Sequence, residues 1–178
     1  MRAGLRKPLR PLLAGLAALA CASCAGPGRM PLASSVTPAF DPIAFFEGRT
    51  EGVGKLKIMM RHPQATLVER RGTRVADGSI LLEQDVRRGD KPATHRAWSL
   101  REVAPHLYAG TLSEASGPVA GDVSGNRLHL SFAMKGGLHA QQWLVLAPDG
   151  RSAFNRMTVS KFGVIVARLN ETITRLPS

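Results

Sequence analysis

From Leu128 to Lys135 the sequence Leu-His-Leu-Ser-Phe-Ala-Met-Lys alternates large apolar residues with polar or small ones. A two-residue period suits an extended strand with one buried face, because successive side chains on a strand point to opposite sides. Lys55–Met60 repeats the pattern, with Leu56, Ile58 and Met60 on one side and Lys55 and Lys57 on the other. Ala65–Arg71, Ile80–Arg87, His95–Val103, Leu107–Ser113, Leu138–Leu146, Ala153–Ser160 and Val164–Ile173 are further strand segments. Asp77-Gly78, Gly89-Asp90, Gly125-Asn126, Gly136-Gly137 and Pro148-Asp149-Gly150 separate them. Such tight-turn signals at short intervals join sequence neighbours into hairpins, hence an antiparallel meander.

About eight to ten strands in so short a chain escape exposed edges most cheaply by closing on themselves. The expected fold is therefore all-β, an up-and-down lipocalin-like barrel, with a β-sandwich as the alternative. Asp41 to Gly48 reads as a short helix at 41–47, with Asp41 as cap, Pro42 at the first position and Gly48 as the stop. In the last segment Val166, Leu169, Ile173 and Leu176 also have helical spacing, so that element has a second reading as a helix outside the barrel.

The amino-terminal segment follows a different logic. Met1–Arg10 is basic and lacks acids, Leu12–Ala20 is apolar and small, and Cys21 follows Leu19-Ala20. That order is the one of a secretion signal, and the apolar run is too short to span a bilayer, which takes about 20 residues. Ala18-Leu19-Ala20-Cys21 is similar to a bacterial lipobox, so residues 1–20 are expected to be a lipoprotein signal and Cys21 the lipidated residue, with Cys24 as the alternative acceptor. An ordinary cut near Ser23-Cys24-Ala25 would instead give a soluble periplasmic protein. Residues 21–38, rich in Pro, Gly and small polar residues, read as a tether, and 39–178 as one barrel domain. Neither candidate cysteine is followed by Asp, which slightly favours the outer over the inner membrane of a periplasm-facing envelope protein.

Both cysteines lie in that leader, so the body has no internal disulfide. Cys21-Ala22-Ser23-Cys24 has C-x-x-C spacing but lacks the strand-to-helix context of a redox site and the further ligands of a zinc site. The chain of 178 residues carries a formal net charge of +11. Arg2, Arg6, Lys7 and Arg10 supply part of it ahead of the apolar run, and the rest is spread without a dense basic block and with few aromatics to stack bases. A nucleic-acid partner is therefore disfavoured, while contact with anionic lipid headgroups remains compatible.

No nucleophile elbow, metalloprotease helix, phosphate loop or dinucleotide fingerprint occurs, and no cofactor is implied. Gly52-Val53-Gly54 reads as a bend at a barrel corner. The five histidines are scattered singly, without metal-ligand spacing. The charged group Glu83, Asp85, Arg96, Arg156 and Lys161, with Trp98 and Trp143, is the candidate ligand-binding set. Glu83 and Asp85 share one strand face, and Arg96 shares a face with Trp98. The competing reading makes these charges cross-strand surface pairs of little energetic weight and the tryptophans core residues.

Ordered motifs run from about Phe40 to the end: Phe45-Phe46-Glu47-Gly48, then Gly52 and Gly54, Leu82-Glu83-Gln84-Asp85, Arg96-Ala97-Trp98, Tyr108-Ala109-Gly110-Thr111, Gly125-Asn126 and Asn155-Arg156-Met157-Thr158-Val159-Ser160-Lys161-Phe162-Gly163. In these the body resembles domain of unknown function 3833, a family of uncharacterised bacterial lipoprotein-like proteins. Gln141-Gln142-Trp143-Leu144 departs from the acids that the family tends to carry there. The resemblance implies an envelope lipoprotein with a lipocalin-like fold and no assigned activity. The expected function is non-enzymatic: a membrane-tethered barrel that binds an apolar or amphipathic ligand such as a lipid. The alternative is an envelope structural or assembly factor with an unidentified protein partner, and a lipid-acting enzyme is the third reading.

Overall fold

A computed structural model describes residues 37–177. The proposed signal segment, Cys21, Cys24 and nearly all of the tether lie outside the described residues. A one-turn helix, α1 (Pro42–Phe46), precedes ten strands: β1 (Gly48–Ile58), β2 (Gln64–Arg74), β3 (Ile80–Arg88), β4 (Thr94–Ala104), β5 (Leu107–Leu112), β6 (Ala115–Ser124), β7 (Arg127–Met134), β8 (Leu138–Leu146), β9 (Ser152–Lys161) and β10 (Val164–Arg175). Each pairs antiparallel with its sequence neighbour, and β1 pairs with β10, so the sheet closes as an up-and-down, lipocalin-like barrel.

The last segment is a strand throughout and not a helix. Its partners on both sides explain why: β1 from Thr50 to Ile58 and β9 from Ser152 to Lys161 each demand an extended ladder. Its helical spacing is incidental, since Leu169, Glu171 and Ile173 share the strand period on the inner face. Met60 also departs from expectation. β1 ends at Ile58, and Met60 sits in the following turn at 95% exposure. The strand that the turn signals concealed is β6, whose Gly117 and Pro118 argue against a regular ladder. The register slips between Ala115 and Val119, so Pro118 falls where the pairing is interrupted and its missing N–H costs no ladder bond.

α1 plugs one end of the barrel. Asp41 caps it by accepting a hydrogen bond from the Ala44 N–H at 3.0 Å, and Pro42 opens its first turn. Phe40, Ile43, Phe45 and Phe46 are buried; the Phe45 and Phe46 rings meet edge to face with centroids 5.0 Å apart. The helix fits because β2 carries Gly72 beneath it: a Cβ there would lie 1.9 Å from the Phe46 carbonyl oxygen. Ile80, Leu100, Tyr108, Leu128, Leu146 and Ile173 fill the layer above the plug. Among the described residues no helix covers the opposite end.

Tyr108 is the only tyrosine of the chain and is 7% exposed. Burial, aided by Glu102 and Asp41, pushes its hydroxyl pKa up to about 12. The neutral phenol is the form that folding favours, so this contribution to stability is complete below about pH 10, the unfolded value, and is lost as the pH rises through the folded one. Tyrosinate absorbance should therefore titrate near 12 in the native protein and near 10 in denaturant, and Tyr108→Phe should lessen the loss of stability above pH 10. A native titration already complete at pH 10 would contradict this placement.

Candidate functional site

The inner face of the barrel encloses a cavity of about 500 Å³ that opens at the end away from α1. Its walls are mainly apolar: Leu56 and Ile58 of β1, Leu82 of β3, Leu130 and Phe132 of β7, and Met157 and Val159 of β9 contribute. Strand alternation delivers these side chains inward, and the same parity carries a small set of polar groups with them.

The deepest polar group crosses the seam where the barrel closes. Arg70 on β2 donates to Glu171 on β10 at 2.7 Å, and Asn155 on β9 donates to the other carboxylate oxygen at 2.8 Å. Between them runs β1, and there Gly52 has no side chain to obstruct the contact; a Cβ would lie 1.8 Å from Glu171 Oε1. Gly54 is similarly tight, with a would-be Cβ 2.4 Å from the Asn170 carbonyl oxygen. These glycines therefore serve close approach across the closing strand. Asn155 Oδ1, Thr66 Oγ1 and Thr50 Oγ1 are buried without a hydrogen-bond partner among the described residues. Asn155 and Thr66 belong to the cavity wall and leave acceptors there.

A second polar group lies closer to the mouth. Arg96 Nε on β4 is 2.9 Å from Glu114 Oε2, and Arg88 at the end of β3 is a further cation on the wall. Burial lowers the Arg96 pKa, the Glu114 carboxylate opposes that shift, and Arg88 adds repulsion. Gln84 accepts from the Trp98 indole N–H at 3.1 Å, which holds that ring against Phe132 with centroids 5.5 Å apart. Gln142 completes the polar set. Three arginines and two glutamates line the wall, which therefore carries a net positive charge.

The seven sequence candidates divide by strand parity. Arg96 and Trp98 line the cavity. Glu83 and Asp85 face outward on β3, because Leu82, Gln84 and Val86 take the inner positions; Asp85 pairs with His95 at 3.1 Å. Trp143 is on the outer wall of β8, stacked on His129 with centroids 3.8 Å apart and covered by Arg127. Arg156 is also outward, bonded to Asn170 and lying over Phe154. Lys161 stands at the rim beside Phe162. Arg70, Arg88, Glu114, Asn155 and Glu171, absent from the sequence set, are the wall residues that parity could have found: Asn155 lies between Ala153 and Met157, and Glu171 between Leu169 and Ile173.

Solved structures share this architecture. The S-type phycobiliprotein lyase from Guillardia theta matches with a TM-score of 0.62 at 9% identity, over 76% of this chain and 91% of that one. Rv2717c from M. tuberculosis matches at 0.60 and 16% identity, over 78% and 99%. A protein of unknown function from the DUF3598 family of Nostoc punctiforme matches at 0.55 and 12% identity, over 78% of this chain but 50% of that one. At these identities the likeness is one of fold. No curated protein matches. A family described as protein of unknown function, DUF3833, matches residues 18–175.

Glu171→Gln should cost about 3–5 kcal/mol, since it leaves the Arg70 guanidinium buried without its counter-charge. Gly52→Ala should destabilise in the same direction by forcing the pair apart. Urea denaturation of each variant checks both, and a loss below about 1 kcal/mol for Glu171→Gln would show that the pair is not buried as described.

Proposed function

The chain belongs to the DUF3833 family of proteins of unknown function, and from that premise we propose that it is a membrane-tethered envelope lipoprotein whose barrel binds an amphipathic ligand such as a lipid. One observation carries the reading: a cavity of about 500 Å³ has mostly apolar walls and a cationic polar group towards its mouth. That volume lies within the range of about 300–1,000 Å³ usual for small-molecule sites, and such sites pair apolar walls with a few polar groups that fix orientation.

The ligand's apolar part would occupy the space between β1, β7 and β9. Its polar end would meet Arg88 and Arg96, which favours an anionic headgroup such as a carboxylate or phosphate. Arg96 is already partnered by Glu114, so Arg88 supplies the cation not neutralised by a carboxylate among the described residues. The deep Arg70–Glu171–Asn155 group would limit how far an acyl chain can descend. Acylation at Cys21, or at Cys24, would hold the barrel at the periplasmic face of a membrane, the outer one being slightly favoured. Among the described residues the wall pairs no nucleophile with a base, so binding accounts for it more simply than turnover does.

An environment-sensitive fluorescent fatty acid should bind the full chain and be displaced by unlabelled fatty acid or phospholipid. Met157→Trp, which fills the cavity from β9, should abolish the signal, and Arg88→Gln should weaken binding of the anionic probe on the order of tenfold while sparing its methyl ester. Equal binding by parent and Met157→Trp would place the probe outside the cavity and overturn the reading.

A further inference from the structure

The open rim has features that the cavity does not use. At the β1–β2 turn Met59 is 51% exposed and Met60 95%; at the β9–β10 turn Phe162 is 89% exposed and Val164 57%. The two turns are neighbours in space, because β1 and β10 pair up to Ile58 and Ala167 and the Met59 N–H donates to the Val166 carbonyl at 2.8 Å. Met60 and Phe162 are also held at positive φ, 63° and 49°. Glycine or asparagine fits such a position more cheaply than a large apolar side chain does. Neither local conformation nor core packing accounts for an exposed methionine and phenylalanine there.

The surrounding charge is of one sign. Lys57, Arg61, Lys161 and Arg168 flank the two apolar tips, and Lys135 stands on the next turn round the rim. Neither 55–63 nor 157–168 contains an acidic residue. Lys57 donates to the Arg61 carbonyl, which steadies the first turn, and the Lys161 ammonium lies 5.6 Å from the Phe162 ring centroid. Apolar side chains projecting from a basic arc match an anionic bilayer, whose headgroups attract the cations while its interior takes the tips. An isolated apolar patch would suit any sticky partner; the cations that surround the tips on this arc select an anionic lipid surface.

We propose that this arc of the open rim docks the barrel on an anionic lipid bilayer, with Met60 and Phe162 inserted and the cavity mouth facing the membrane. The chain enters the barrel at its other end, where the Phe40 N–H bonds the Gly125 carbonyl. About 16 residues separate Cys21 from Thr37, a reach of at most ~55 Å when extended. An eleven-residue strand such as β1 spans roughly 36 Å. A lipid-anchored chain can therefore turn its mouth to the membrane that holds it. The inference stands on the rim and does not require a ligand in the cavity.

The test uses the full chain with Cys21→Ser and Cys24→Ser, so that no acyl anchor contributes, sedimented with vesicles of phosphatidylglycerol or of phosphatidylcholine alone. The amino-terminal segment is common to every sample, so differences between rim variants report the rim. Partition onto phosphatidylglycerol should exceed that onto phosphatidylcholine and fall on the order of tenfold or more with Met60→Ser and Phe162→Ser together. Phe162→Trp, which keeps an apolar tip, should retain binding and show a blue shift in emission when phosphatidylglycerol vesicles are added, above any shift of the parent's own tryptophans. Unchanged partition in the double serine variant, equal partition of the parent on both vesicles, or no added blue shift in the Phe162→Trp variant would each overturn the proposal.

Discussion

Arg70 and Glu171 meet across the strand that closes the barrel, and much of the architecture follows from that contact. Glu171 belongs to the last strand, Arg70 to the second, and the first strand passes between them with Gly52 at the crossing. The pair therefore ties the first two strands to the last, at the ladder which removes the last free edges of the sheet. A buried ion pair gains little over an apolar pair of the same shape, because desolvation offsets the attraction. Its value here is one of register. A slip of one residue in the closing ladder would turn Glu171 out to solvent and strand the guanidinium inside, a penalty added to that of exposing Leu169 and Ile173.

Closure also sets what the interior can be. Barrel diameter grows with strand number, and about eight strands already give an interior that side chains can fill. Ten strands enclose more space. At one end α1 and the aromatic side chains of Phe40, Phe45 and Phe46 fill it; at the other, residues such as Leu56, Leu138 and Val166 line a cavity that they do not close. The structure is thus polarised along its axis, from a packed floor through a buried polar layer and an apolar cup to a basic rim. That gradient, apolar inside and cationic towards the mouth, is the feature on which the proposed amphipathic ligand rests.

The fold was legible in the sequence because two independent signals agreed: the period of two in segments such as Leu128–Lys135, and glycine turn pairs at the spacing of hairpins. Asp41-Pro42 announced the helix through cap chemistry that acts within one turn. The site was less legible, because the inner faces of several strands carry polar groups that ordinary preference would place outside. Gln142 and Trp143 are adjacent, and ordinary preference would bury the tryptophan; instead Gln142 lines the cavity and Trp143 stacks on His129 outside. Glu83 and Asp85 form a charged pair on one strand face, yet their neighbours Leu82 and Val86 occupy the inner one. Gly52 looked like a corner and is a passage for a side chain on another strand, a role with no local trace. Arg70 and Glu171 stand 101 positions apart, so only the folded chain brings them together.

The central claim is that the barrel is a container for an amphipathic molecule. Native mass spectrometry of the protein, isolated from its own cells in mild detergent, addresses that claim most directly. The account predicts a noncovalent adduct of lipid mass at up to one copy per chain, lost on unfolding and distinct from any covalent acylation. A protein whose native and denatured masses agree, with the barrel intact by circular dichroism, would contradict it.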